Sequence, residues 1–411
     1  MRYPMFLAQY DVGRKRLFAV SHRTRLPVET LAQLLPIKHQ FGITRVANVT
    51  GLDRIGLPVV LAVRPNSRSV AVSQGKGTSL EAAKASAVME AIELWHAENF
   101  LRPMIYASHS EIDRRGGVID VSRLPRVKTS RYSEHLRMHW VEGSNLMSGE
   151  PLLVPHEMVH ADYAYPVPPG YGSFPASTNG LASGNHPLEA ICHAIWEVVE
   201  RDAITLWHHL PADRRAATMI DSATIDCPIS NHLLRSIERA GLDVALWDAT
   251  SDIGIATIYC LLTDRADLQG HIGVGSGTHA DSRVALARTL TEAVQTRMNY
   301  ITGSRDDLRL EEFMTQGRGK KAQEAKTLLK RTTPLRDFAA IPDRPVPTFR
   351  EDLDWLMIRL GAVGIDQIAC VDLSSELPDL SIVRVVIPGL ESPHDDDTFV
   401  PGPRAIAAAS Q

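Results

Sequence analysis

Apolar and polar residues along this chain repeat one order three times: a strand-like run of β-branched or small residues, a glycine-rich stop, then a helical pattern. Pro58 to Arg64, PVVLAVR, reads as a strand, and Ser69 to Ser73, with Val70 and Val72 alternating, reads as a second. Gln74-Gly75-Lys76-Gly77 then reads as a turn leading into a helix from Ser79 to Asn99. Ser177 to Gly184 leads through Asn185 to a helix reaching His208, with Pro187 suited to its first turn. Ile272 to Val274 passes through Gly275-Ser276-Gly277 to a helix from Ser282 to Ile301, which Asp281 should cap. With strands also expected at Asp243 to Trp247 and Ile255 to Leu262, the pattern predicts a mixed α/β fold.

Residues 1–58 read as an irregular lead-in, 59–390 as the main domain and 391–411 as a tail. The prolines and Asp395-Asp396-Asp397 keep that tail from being a regular helix before its last few residues. Arg305 to Arg331, which contains RGKKAQEAK, reads as a solvated charged excursion.

Within the helices the polar residues fall into stripes. Residues spaced i, i+4 and i+7 lie within roughly 60° on a helix, the spacing of Ser86, Glu90 and Glu93. By the same arithmetic Glu189, Glu197 and Glu200 span about 80°, opposite Ile191, Ile195, Val198 and Val199. Arg288, Glu292, Gln295 and Asn299 form a third stripe. A polar stripe is ordinarily the face of an amphipathic helix in water. Three of them, each placed after a glycine stop where backbone N–H groups can meet an anion, suggest a shared ligand instead.

Composition narrows what that ligand can be. The 411 residues carry a formal net charge of -4, short of the broad basic surface that nucleic-acid backbones need. No stretch reaches the roughly 18 uninterrupted apolar residues of a membrane span, and the first residues lack a signal-peptide pattern, which places the protein in the cytoplasm. Cys192, Cys227, Cys260 and Cys370 form no CxxC pair, so buried reduced thiols are expected rather than structural zinc. Carboxylates gathered beside phosphates call for a hard divalent cation, and magnesium bound with ATP fits that chemistry. Lys76, Arg201 and Arg288 would meet the remaining phosphate charge, although QGKG is not a Walker A loop.

At this point GKGTSLEAAKASAVMEAIE, NGLASGNHPLEAICHAIWEVVERDA and GSGTHADSRVALARTLTEAVQTR resemble, in order, the three ATP-binding blocks of the YcaO family. The similarity spans at least Arg54 to Arg305 and implies a YcaO-type fold, its sheets packed by helices around a central magnesium-ATP site. It matches Lys76, Ser86, Asn185, Arg201 and Arg288 to nucleotide-contacting positions, with Glu189, Glu292 and Gln295 joining that set. Glu90, Glu93, Glu189, Glu197 and Glu200 match the carboxylates that hold magnesium. The family's first block commonly ends Glu-Arg, whereas Leu94 follows Glu93 here.

Members of this family phosphorylate a peptide amide oxygen so that a nucleophile can add at carbon: a Cys, Ser or Thr side chain gives an azoline, and sulfide gives a thioamide. The tail ends PGPRAIAAASQ rather than in the PxPxP of many cyclodehydratases, and GLPVVLAVRPNSRSVAVSQGKG and VIPGLE look closest to YcaO proteins associated with a TfuA-type partner. The resemblance therefore favours thioamidation of a peptide or protein, with a TfuA-like partner and a sulfide donor, and allows a homodimer. An azoline-forming cyclodehydratase and a non-catalytic ATP-binding accessory protein are the competing readings. Outside the blocks, His193 reads as a supporting hydrogen-bonding group, and His279 and Arg305 as loop residues that could approach a substrate.

Overall fold

The computed structural model describes residues 10–410 apart from 19–20, 101, 114–115, 267–271, 315–316, 318–322, 324, 326, 330–334, 376, 378 and 396. The RGKKAQEAK run of the expected solvated excursion lies largely outside the described residues. The elements run β1 (Arg16–Phe18), β2 (Ser21–Arg23), α1 (Pro27–Leu34), β3 (Arg45–Asn48), β4 (Val59–Val63), β5 (Val72–Lys76) and α2 (Leu80–Glu98). Next come β6 (Met104–Ser108), β7 (Arg137–Asn145), β8 (Pro151–Pro155), β9 (Leu181–Gly184), α3 (Pro187–His209) and α4 (Pro228–Arg239). They are followed by β10 (Leu242–Asp248), β11 (Thr257–Asp264), β12 (Gly273–Thr278), α5 (Ser282–Thr302), α6 (Phe349–Ala362), β13 (Ala369–Asp372), β14 (Ser381–Val386) and α7 (Pro403–Ala409). The fold is mixed α/β, as the pattern predicts.

The chain forms two compact units, each built from separated segments: Arg16–Ile92 with Leu210–Pro345, and Met1–Lys15 with Glu93–His209 and Val346–Gln411. Both draw on the expected main domain, and the expected lead-in and tail contribute to them. The lead-in is not irregular. Glu29 accepts a hydrogen bond from the Leu26 N–H at 2.8 Å to start α1, Leu31 and Leu34 are buried beneath it, and β3 pairs with β4. Reading β3 from the sequence fails because RVAN is short and its partner lies more than ten residues away.

In the unit of Arg16–Ile92 and Leu210–Pro345, β3-β4-β5 and β10-β11-β12 form two antiparallel three-stranded sheets. Helix α5 lies on β11 and β12, and α4 on β10 and α5. Leu61, Val72, Leu246, Ile258, Leu262, Leu286, Leu290 and Val294 belong to its buried core.

The glycine stops prove to be strand, not turn. Gly75 lies inside β5, and Gly273, Gly275 and Gly277 alternate along β12, so all three of the latter share one face. A Cβ at Gly75 would fall on the backbone of Ala83 and Ala87, and one at Gly275 on the backbone of Thr289 and Ala293. Glycine is there to let a helix backbone lie flat on the strand, a reason different from turn formation and invisible to local pattern. Gly275→Ala is expected to lower stability by about 3 kcal/mol through overpacking; an unchanged midpoint in urea unfolding would contradict that close approach.

In the other unit β6-β7-β13-β14-β9 form one sheet, with β8 paired to β7. Helix α3 packs on β9 and β14, and α6 and α7 pack on α3. Trp140, Ile191, Ile195, Leu353, Leu356, Ile382 and Val385 are buried there. The tail is helical only at Pro403–Ala409, as expected, and it is latched to α3: Arg404 donates to both carboxylate oxygens of Asp202 at 2.9 and 3.0 Å. Glu391 caps the same segment, accepting from the N–H groups of Gly402 and Ala405, each at 2.9 Å.

All four cysteines are free and buried. Burial pushes the Cys192 thiol well above its usual range, and its Sγ lies 3.4 Å from the Phe349 carbonyl oxygen, so it is a core residue and no nucleophile. Among the described residues no helix is long and apolar enough to cross a membrane.

Candidate functional site

Strand alternation puts Val72, Gln74 and Lys76 on one face of β5, with Gly75 on the other against α2. The Lys76 ammonium reaches α5, where Nζ lies 2.5 Å from Glu292 Oε2. Gln295, nearly one turn further on, donates from its side-chain amide to the Gln74 backbone carbonyl. Arg288, one turn before Glu292, is half-buried, as are Ser86 and Glu90 on α2. Lys76, Glu292 and Gln295, expected from the sequence, are thus gathered by the β5–α5 contact. Lys76 itself ends a strand and does not sit on a glycine turn.

Glu93 follows Glu90 on the same helix and is half-buried. Its Oε1 accepts from the Ser183 N–H at 2.8 Å and from the Ser183 hydroxyl at 2.5 Å, which fixes the carboxylate to β9. Asn185 lies between β9 and α3. On α3, Glu189 is 1% and Glu200 2% exposed, with Glu197 half-buried between them along the stripe. That burial decides the ambiguity of the acidic stripe, since a face in water would leave these groups exposed.

The electrostatics of α3 follow from that placement. Burial pushes the Glu197 carboxyl above its usual range; Arg201 opposes the shift, the neighbouring Glu200 charge adds to it, and Arg384 opposes it. Glu197 Oε1 also accepts from the Gly180 N–H at 3.3 Å, and Gly180 takes a φ of 81° that favours glycine. Arg201 Nη1 stands 3.8 Å from Glu200 Oε1. A buried run of like charges is costly unless opposite charge is shared with it, and a bound cation would supply such charge.

Among the described residues no three His, Cys, Asp or Glu side chains form a ready-made metal cage. Magnesium does not need one, because it keeps several waters and takes one or two carboxylates alongside phosphate oxygens. Within the unit that holds α3, the carboxylates of Glu93, Glu189, Glu197 and Glu200 with Arg201 beside Glu200 have the chemistry of a hard cation's oxygen ligands, and within the other unit Lys76 with Glu292 and Gln295 has that of a phosphate contact, so the residues of each fit magnesium and ATP.

Several residues carry interactions that the sequence did not single out. Gln74 is 1% exposed and its backbone carbonyl accepts from Gln295; among the described residues neither its side-chain nitrogen nor its oxygen has a hydrogen-bond partner. Reading QGKG as a turn hid it; a strand reading would have paired it in register with Lys76. Arg384, 1% exposed, donates to the carbonyls of Met158 at 2.9 Å and Ser177 at 2.7 Å. Its signal was a lone arginine in the apolar strand SIVRVV.

Of the residues outside the blocks, His193 is half-buried on α3 between Glu189 and Glu197. His279 accepts from the Asp281 N–H at 2.9 Å and meets the His22 ring edge-on, which makes it part of the α5 cap. Asp281 accepts from the Arg283 N–H at 3.0 Å, as the sequence predicts. Arg305 is held above its usual range, first by its hydrogen bond to Asp307, against burial, then by the charges of Asp307 and Glu90.

A family described as YcaO cyclodehydratase, ATP- and Mg2+-binding, matches residues 74–391. An uncharacterized protein in the tfuA 3′ region of Rhizobium leguminosarum bv. trifolii is 35% identical over 391 residues, covering 93% of this chain and 92% of that protein. Among solved structures, YcaO from Methanopyrus kandleri bound with AMPPCP and Mg2+ superposes with a TM-score of 0.75 at 22% identity, covering 95% of this chain and 98% of that one. A heterocyclase in complex with substrate and cofactor gives a TM-score of 0.77 at 20% identity over 93% of this chain; the match spans 54% of that longer chain.

Proposed function

As the chain belongs to the YcaO family, we propose that it is an ATP-dependent enzyme that converts a backbone amide of a peptide or protein to a thioamide. Its cofactors are ATP and magnesium. ATP supplies the phosphoryl group that turns an amide oxygen, a poor leaving group, into a good one, and sulfide then adds at the carbon. Nucleotide contacts fall to the polar set that includes Lys76, Ser86, Asn185 and Arg288, and magnesium to the glutamates of α2 and α3. The observation that carries this reading is the burial of Glu189 and Glu200 beside a Glu197 that resists ionisation, because such carboxylates gain most from a bound divalent cation.

The chain's own residues then have distinct tasks. Glu292 holds the Lys76 ammonium, and Gln295 holds the β5 backbone next to it. Ser183 fixes the Glu93 carboxylate. Arg201 sits beside Glu200, where its charge can be shared with phosphate oxygens. The sulfur-adding branch is supported by the relative in the tfuA 3′ region, and a TfuA-like protein and a sulfide donor are the partners it implies.

Azoline formation by a Cys, Ser or Thr side chain is the second reading, favoured by the cyclodehydratase description of the family. Mass spectrometry of a candidate peptide treated with protein, TfuA-like partner, ATP, magnesium and sulfide separates the two. Exchange of oxygen for sulfur adds about 16 Da, whereas ring closure removes one water, about 18 Da. Loss of water without sulfide uptake would replace the thioamide assignment, and nucleotide binding with no ADP released under any of these conditions would leave only an accessory role.

A further inference from the structure

We propose that His394, stacked on His208, takes the proton that thioamide formation releases, an inference that rests on the reaction proposed above. That reaction needs a base. When hydrosulfide adds to the phosphorylated amide carbon, the new C–S bond leaves an S–H on the adduct. As the adduct collapses, the C–O bond breaks and phosphate departs with its electron pair. The S–H electron pair becomes the second C–S bond, and its proton is accepted by the base before it passes to the departing phosphate. Nothing is oxidised or reduced. A neutral imidazole can take such a proton near pH 7 and return it.

Helix α3 and the segment after β14 place that group. Counting about 100° per residue from Glu189, His208 falls at about 100°, between Glu197 at about 80° and Arg201 at about 120°, so the acidic stripe of α3 ends in a histidine. The segment after β14 is pinned along the same helix: the Glu391 N–H donates to Asp202 at 2.9 Å, and the Thr205 hydroxyl donates to the Ser392 carbonyl at 2.8 Å. Two residues further on, the His394 ring stacks on His208, with centroids 4.0 Å apart and planes 23° from parallel. Two imidazolium cations at that separation repel, so the pair holds at most one proton near neutrality. Burial lowers His394 below the ordinary histidine range; Asp395 opposes the shift, and His209 and Arg201 add to it. Both stacked rings are only half-buried, which leaves them within reach of a bound peptide. A base that stays neutral, at the accessible end of the acidic stripe, has the properties that the released proton requires.

The test uses the full chain with its TfuA-like partner, ATP, magnesium, sodium sulfide and the peptide on which the parent forms a thioamide, read by the gain of about 16 Da. His394→Gln should lower kcat about 100-fold, the effect of losing a positioned base, with the KM for peptide and the affinity for magnesium-ATP unchanged. His394→Ala should lose as much and regain about tenfold when imidazole is added, because the small base enters the space that the ring has left. A His394→Gln protein with the parent's kcat would overturn the inference. So would a loss of rate matched by a loss of magnesium-ATP affinity, or one that imidazole leaves untouched, since either marks a structural role. A parent protein that binds magnesium-ATP but makes no thioamide would overturn the reaction on which the inference stands.

Discussion

Glu200→Gln should weaken magnesium-dependent ATP binding by about 100-fold or more while leaving the ligand-free protein at least as stable as the parent. The two halves of that expectation have one cause. Glu200 is 2% exposed, and its charge adds to the burial that already resists ionisation of Glu197. Glutamine keeps the shape and removes one of two like charges from a poorly solvated place, so the folded state without ligand loses a repulsion. With a divalent cation present the balance reverses. Losing even an outer-shell partner of a metal ligand costs 10–100-fold in affinity, so losing a carboxylate of the set should sit at the upper end of that range. Thermal unfolding with and without magnesium-ATP reads both at once, because a ligand that binds only the folded state raises the melting temperature by mass action. The parent should shift with ligand, and the variant should start no lower and shift little. Equal ligand-induced shifts in the two proteins would remove Glu200 from the metal set, and a lower ligand-free melting point would mean that its contact with Arg201 at 3.8 Å is structural.

How far the site could be read from sequence depended on whether the cause was local. The helices carrying Glu90, Glu197 and Glu292 follow from 3.6-residue periodicity, and Asp281 and Pro187 mark helix starts by capping and proline chemistry that acts within one turn. That the acidic stripe of α3 is buried did not follow, since periodicity shows which residues share a face and not what that face meets. The glycines of β5 and β12 were misread for a related reason: glycine serves turns and close helix–strand approach alike, and only the position of Ala83, Ala87 and Thr289 tells them apart. Gln74 was lost through that error. Strand β3 and the discontinuous units depend on pairings between distant residues, which no local pattern encodes.

Acid should destabilise this protein well before its carboxylates titrate, because two stacked histidines are buried in their neutral form. His156 and His160 are each 8% exposed, with ring centroids 4.7 Å apart and planes 13° from parallel. The groups facing them include His139, Tyr171, Asp162 and Arg384: the Tyr171 hydroxyl bonds His156 Nδ1, and His160 Nδ1 accepts from the Asp162 N–H at 3.0 Å. Burial first, then the neighbouring His160 and His139, lowers His156 to about 3. Burial also lowers His160 to about 4, aided by Arg384 and opposed by Asp162. Both folded values lie below the ordinary 6.5, so the sign is fixed: under pH 6.5 the unfolded chain takes up two protons that the native protein refuses. Each refused proton costs up to about 1.4 kcal/mol per pH unit once the unfolded histidine is fully charged, so the pair should remove about 3 kcal/mol between pH 6.5 and 5, a large share of the 5–15 kcal/mol that holds a typical protein folded. His186 and His394, also lowered by burial, act in the same direction, whereas the raised carboxyls of Glu157 and Glu197 act against it. Comparison of the parent with the double variant His156→Gln, His160→Gln cancels those other groups. The variant should be less stable at pH 7.5, because the Tyr171 contact is lost, yet its urea midpoint should fall far less steeply toward pH 5. Parallel slopes in the two proteins would mean that the histidine pair already carries its protons in the native state, and that its stacked arrangement is held by something other than neutral burial.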